Sequence, residues 1–276
     1  MLPESKGLCA CGGRAITNAL RRAAMAAISS LVFTITLAPS YASCGYSPEH
    51  GGLQEDLLYR ITWSGIPAGE AELKTIQGVK YINYQLTARS LPYLDIIYPV
   101  RIYEESTVSS GTRQPVRFYK KAREGLGRRE NTAEVIFDME SGMAELRKDA
   151  EFKGRLPIPK DVHDPLSCLF WYRSKSGPGQ DESLWITDGK KIIIGTAHVI
   201  KHEDIETPAG RFRTVLVEPK MEGLSGVFKK SPGARIMVWL TDDERKIPVM
   251  VKSKVIVGYF SAELIEIRRQ ETPSGK

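Results

Sequence analysis

Apolar and polar residues alternate with a period of two along most of the chain after residue 56. In LLYRITW (57–63), Leu57, Tyr59, Ile61 and Trp63 point one way while Leu58, Arg60 and Thr62 point the other, the signature of a half-buried β-strand. The pattern returns in residues 80–88, 100–108, 116–122, 133–138, 210–219, 234–240, 249–260 and 262–267. Gln77-Gly78, Ser110-Gly111, Ser141-Gly142, Asp188-Gly189 and Pro208-Ala209-Gly210 supply turn chemistry between the runs. Many short strands joined by tight turns predict an antiparallel all-β protein.

One segment breaks the period. In DPLSCLFWYRS (164–174), Asp164 can cap a helix, Pro165 fits its first position, and Leu166, Leu169, Phe170 and Arg173 follow helical spacing. Glu104, Glu105, Lys120, Lys121, Arg123, Lys252 and Lys254 are read as standing on wet sheet faces opposite Tyr, Val, Ile and Phe. A sheet of about a dozen twisted strands does not stay flat. The expected fold is a large curled antiparallel sheet, an open barrel or β-spiral, with one central helix and a groove or cavity inside.

The N-terminus has a different character. Arg14, Arg21 and Arg22 precede a short, interrupted apolar run, and small residues close it at Ser40-Tyr41-Ala42-Ser43-Cys44. That order describes a secretory signal. Cleavage after Ala42 fits an ordinary signal peptidase. Ala42-Ser43-Cys44 also looks like the end of a lipobox, which makes Cys44 a candidate lipidation site, although Tyr41 stands where such boxes usually carry Leu. The predicted organisation is a signal over 1–43, a Gly-rich tether over 44–55, and one β domain over 56–270 with its helix near 164–174. Once Cys9 and Cys11 leave with the signal, Cys44 and Cys168 remain. Export makes a disulfide between them chemically accessible, but two cysteines are not a disulfide framework.

Four of the 39 basic and one of the 33 acidic residues lie in the first 43, which leaves the mature chain near +3. That balance gives no electrostatic case for a nucleic-acid partner.

The candidate chemistry is thin. Asp242-Asp243-Glu244, between the apolar runs 236–240 and 247–251, reads as a hairpin loop. His198 and His202 are spaced to share a helix face, but KKIIIGTAHVI is β-branched, and in a strand they stand too far apart to grip one ion. Cys168 and His163 are a conceivable nucleophile and base without defined geometry. Gly125-Leu126-Gly127, beside Arg123, Arg128 and Arg129, reads as a loop rather than a phosphate cradle. No cofactor or metal motif occurs in the sequence.

Four segments, YRITWSGIPAGEAEL (59–73), DPLSCLFWYRS, DIETPAGRFRTVLVEP (204–219) and VWLTDDERKIPV (238–249), resemble in order and spacing the bacterial domain-of-unknown-function family 3108. The resemblance implies an exported envelope protein and carries no established catalytic residues. The leading expectation is a non-enzymatic periplasmic protein that binds an acyl chain, a lipoprotein or an extended peptide in an apolar groove. Phe170, Trp171, Tyr172 and Trp63 are its candidate groove residues, and any membrane attachment would run through Cys44. A scaffold that fills its own centre is the alternative, followed by a hydrolase using Cys168 or an unrecognised acid.

Overall fold

A computed structural model describes residues 53–126, 130–175, 180–221, 224, 235–254 and 258–271. The signal, most of the tether and Cys44 lie outside them. Among the described residues, β1 (Leu53–Trp63), β2 (Ile66–Gln77) and β3 (Tyr81–Ser90) lead through a one-turn helix α1 (Pro92–Asp95) into β4 (Val100–Ser109) and β5 (Pro115–Glu124). Next come β6 (Glu130–Asp138), β7 (Met143–Lys148), β8 (Glu151–Pro157) and the helix α2 (Ser167–Arg173). The described residues continue through β9 (Glu182–Thr187), β10 (Ile192–Thr207), β11 (Gly210–Lys220), β12 (Arg235–Thr241), β13 (Pro248–Lys254) and β14 (Tyr259–Glu271).

All fourteen strands form one antiparallel sheet in the order β8-β7-β6-β5-β4-β3-β2-β1-β14-β13-β12-β11-β10-β9. The chain steps outward from β1 to β8, crosses through α2 to the opposite edge, and steps back from β9 to β14, which pairs with β1. The sheet curls on itself, but its edge strands β8 and β9 do not pair with each other. The segment after β8 pairs with β9, where His163 N–H donates to Trp185 O at 2.8 Å and Thr187 N–H to His163 O at 2.9 Å. The β9–β10 turn also tucks against the far side, since a Cβ on Gly189 would lie 2.7 Å from Val135 Cγ2. This is an open barrel closed by the connection to its central helix.

The strands follow their alternation. β4 buries Val100, Ile102, Glu104, Ser106 and Val108, with half-buried residues between them. Leu57, Tyr84, Phe118, Val135, Phe170 and Leu264 belong to the main core between sheet and helix.

Several expectations need correcting. β1 begins at Leu53, so the last three tether residues are strand. The 249–260 run is two strands, β13 and β14, rather than one. The turn between β1 and β2 is only Ser64 and Gly65, with φ of 48° and 86°, and Ile66 already begins β2. Position 69 lies within that strand and takes glycine because a Cβ there would sit 2.4 Å from the Arg89 carbonyl oxygen. Glu104 and its cross-strand partner Lys120 do not stand on the wet face. They share the inner face with Ile102 and Phe118.

Candidate functional site

The site is built around α2, and α2 is built from its cap. Asp164 Oδ1 accepts the Leu166 N–H at 2.9 Å and the Ser167 N–H at 2.8 Å. Ser167 Oγ accepts the Asp164 N–H at 3.1 Å, a reciprocal capping arrangement. The first helical hydrogen bond, Cys168 N–H to Asp164 O at 3.1 Å, puts the working start of the helix at Pro165, where the sequence puts it. Ser106 Oγ on β4 donates to Asp164 Oδ2 at 2.6 Å, so the sheet itself grips the cap.

The other end is pinned by charge. Arg173 donates to Glu55 Oε1 at 2.7 Å and to Arg245 O at 3.1 Å, while Arg269 holds Glu55 from β14 at 2.9 Å. Desolvation opposes ionisation of Glu55, and the two guanidiniums outweigh it to hold its carboxyl below the usual range. Between these anchors Phe170 stacks on Tyr84, ring centroids 3.6 Å apart.

α2 does not fill the curled sheet. Beside it lies a cavity of about 250 Å³. Its walls come from Tyr59, Ile61, Leu73 and Leu86 on β1–β3, from Leu166, Leu169, Trp171 and Tyr172 along α2 and its cap, and from Leu184, Val217, Ile236, Val238, Val251 and Ala262 on the returning strands. Solvent reaches part of Glu182, Thr196 and Pro219, which also line it.

The polar atoms on this wall are mostly occupied. Tyr59 Oη donates to Pro248 O at 2.8 Å, Tyr172 Oη to Gln180 O at 3.0 Å, and Cys168 Sγ to Pro165 O at 3.0 Å. Among the fully buried groups Glu104 is the exception. It is 0% exposed, with Lys120 Nζ 2.9 Å from Oε1, and Oε2 has no hydrogen-bond partner. Burial pushes the Glu104 carboxyl up to about 7; Lys120 pulls it down and the nearby Asp164 pushes it further up.

Of the four candidate groove residues, Trp171 and Tyr172 line this cavity. Phe170 is spent on Tyr84, and Trp63 packs near Phe260 in a separate cluster, ring centroids 6.2 Å apart. Sequence reasoning placed Glu104 on the wrong face, although the parity of VRIYEESTV sets it in line with Val100, Ile102 and Val108.

The remaining candidates resolve by geometry. His198 and His202 lie on β10, each beside its own acid: Asp181 at 3.2 Å and Asp242 at 3.1 Å. Asp242 to Lys246 form the β12–β13 hairpin loop, in which Asp243 Oδ1 accepts the Arg245 and Lys246 N–H groups at 3.1 and 3.2 Å. The loop also anchors the helix, because Lys246 Nζ donates to Lys175 O. His163 Nδ1 lies 3.1 Å from Ser167 Oγ, within the capping network rather than against Cys168. Desolvation pushes the Cys168 thiol up to about 12, with Asp164 adding to the effect. Gly127, Arg128 and Arg129 lie outside the described residues.

Comparison with solved structures returns proteins of low identity. A beta-barrel-like protein of the domain of unknown function DUF1849 from Brucella abortus is 12% identical, with a TM-score of 0.49 over 78% of this chain and 97% of that one. A candidate exported protein with a YmcC-like fold from Bacteroides fragilis is 8% identical, with a TM-score of 0.28 over 78% and 95%. A candidate lipoprotein from Parabacteroides distasonis is 11% identical, with a TM-score of 0.29 over 80% and 97%. No functionally curated protein matches the chain. The family model described as "Protein of unknown function (DUF3108)" matches residues 58–265, and the chain belongs to that family.

Proposed function

We propose that the protein is an exported, non-enzymatic envelope protein that holds a single alkyl or acyl chain in the cavity beside α2. The observation that carries this reading is the cavity itself, about 250 Å³ of space with an almost wholly apolar wall. An apolar cavity of roughly 150 Å³ accepts benzene, so this one has room for about ten carbon atoms, one short chain rather than a whole lipid. A packed scaffold has no use for such a void, which costs its lining the dispersion contacts of a filled core. The basic, apolar and small order of residues 14–44 supports export.

The energetics bound the affinity. Burying eight methylene-sized groups is worth about 6 kcal/mol gross, which caps the affinity of an eight-carbon chain at a Kd of tens of micromolar before the cost of association is subtracted. At roughly twentyfold excess over Kd such a ligand stabilises the fold by about 1.8 kcal/mol. For a domain of this size that raises Tm by roughly 4–7 °C. Thermal unfolding with and without 1-octanol is the test, with Ala262→Phe as the variant that fills the cavity. The expected result is a rise in wild-type Tm that Ala262→Phe loses. Equal shifts in both proteins, or no shift in either, would overturn the reading.

A further inference from the structure

We infer that the cavity selects a chain whose polar end is a neutral hydrogen-bond donor, a hydroxyl in the simplest case, and rejects the carboxylate of a free fatty acid. This rests on the proposed role of the cavity and adds the chemistry of its occupant. Glu104 lines the cavity, is 0% exposed, and keeps Oε2 without a hydrogen-bond partner. Buried polar atoms in folded proteins are rarely left so, because each one lacks the hydrogen bond it would make to water. A donor carried into the cavity by a ligand would satisfy it. Tyr59, Tyr172 and Cys168 cannot offer their protons to a ligand without giving up the carbonyls of Pro248, Gln180 and Pro165. Above pH 7, where the Glu104 carboxyl is ionised, its Oε2 is an acceptor, and the buried donors beside it are committed elsewhere.

Charge argues the same way. The cation beside Glu104 is Lys120, whose ammonium is already 2.9 Å from Oε1. Asp164, also 0% exposed, is close enough to oppose ionisation of Glu104. A second anion here would meet two buried acids and one committed ammonium. A hydroxyl brings a donor and no charge, and its acceptor lone pairs remain for water entering with the chain.

The experiment compares n-octane, 1-octanol and octanoate by thermal shift and calorimetry on the purified chain, at a pH about one unit above the Glu104 titration near 7 so that its carboxyl is ionised. Wild type is expected to bind 1-octanol about tenfold more tightly than octanoate and more tightly than octane, the scale of one hydrogen bond to a buried acceptor. Glu104→Leu should erase the preference for octanol over octane while octane still binds. Glu104→Gln keeps an acceptor oxygen and removes the charge, so it should narrow the gap between octanol and octanoate, and it serves if the Leu variant does not fold. Octanoate binding as tightly as octanol in wild type, or an octanol–octanoate gap unchanged in Glu104→Gln, would overturn this inference and leave the cavity reading standing. No response to octane in wild type would overturn the cavity reading itself.

Discussion

His163 sits 5% exposed between β9 and α2, with its Nδ1 against Ser167 Oγ. Burial holds its imidazole down to about 4, against the pull of Asp161 and with help from Lys175. In the unfolded chain a histidine takes up its proton near 6.5. The unfolded state therefore binds the extra proton between 6.5 and 4, and stability present above 6.5 is lost as pH falls through that window, by up to about 3 kcal/mol. Glu104 works in the opposite sense. Its folded carboxyl titrates at about 7 and its unfolded one near 4.3, so the folded state holds the extra proton and stability falls as pH rises between them. The two effects partly cancel in the wild type. Urea unfolding of single variants separates them: His163→Asn should lose less stability than wild type on going from pH 7 to pH 5, and Glu104→Gln should gain on wild type at pH 7.5 relative to pH 5. Parallel pH profiles for wild type and both variants would contradict these assignments. The two residues were not equally readable. Adjacent residues in a strand face opposite ways, so Glu104 and Glu105 could not both be wet, and parity alone points Glu104 inward. His163 gave no signal, because its burial depends on a β9 contact about twenty residues away.

At the scale of elements, α2 holds the cavity open on one side and packs the core on the other. Phe170 belongs to the packed side, 7% exposed and stacked on Tyr84. Phe170→Ala should destabilise by about 3–5 kcal/mol, as for a large aromatic lost from a core. Asp164→Ala should cost about 2–3 kcal/mol, more than the roughly 1 kcal/mol of an ordinary cap. The reason is that Asp164 is fully buried, and its loss strands Ser106 Oγ and two backbone N–H groups. Equilibrium urea unfolding measures both, and an Asp164→Ala cost below 1 kcal/mol would mean that the sheet-side bond adds nothing. The Asp-Pro start and the helical spacing made α2 visible in the sequence. The grip of Ser106, 58 residues earlier, was not visible. Among strands, β2 and β8 were hard to see for local reasons. Pro67 and Gly69 imitate a turn inside β2, and β8, at a sheet edge, is mostly exposed and lacks alternation.

For the whole molecule, every neighbouring pair in the sheet but one joins strands that follow each other in sequence, and turn residues announce several of those connections. The pairing that defines the architecture is β1 with β14, from Leu53 opposite Glu271 to Trp63 opposite Phe260, and no local signal encodes it. The cavity follows from that pairing. Closing the two halves at β1–β14 and bridging the edges at His163 and Ile186 makes an enclosure wider than one helix can fill. The space left over is apolar because the inner faces are. Crystals soaked with 1-bromooctane and measured at the bromine absorption edge test that claim most directly. An anomalous peak is expected inside the sheet, between Leu169 of α2 and the Leu73, Leu86 and Val251 wall, and absent from Ala262→Phe crystals. Bromine found only on the outer surface, for example along Met237 and Trp239 of β12, would contradict it.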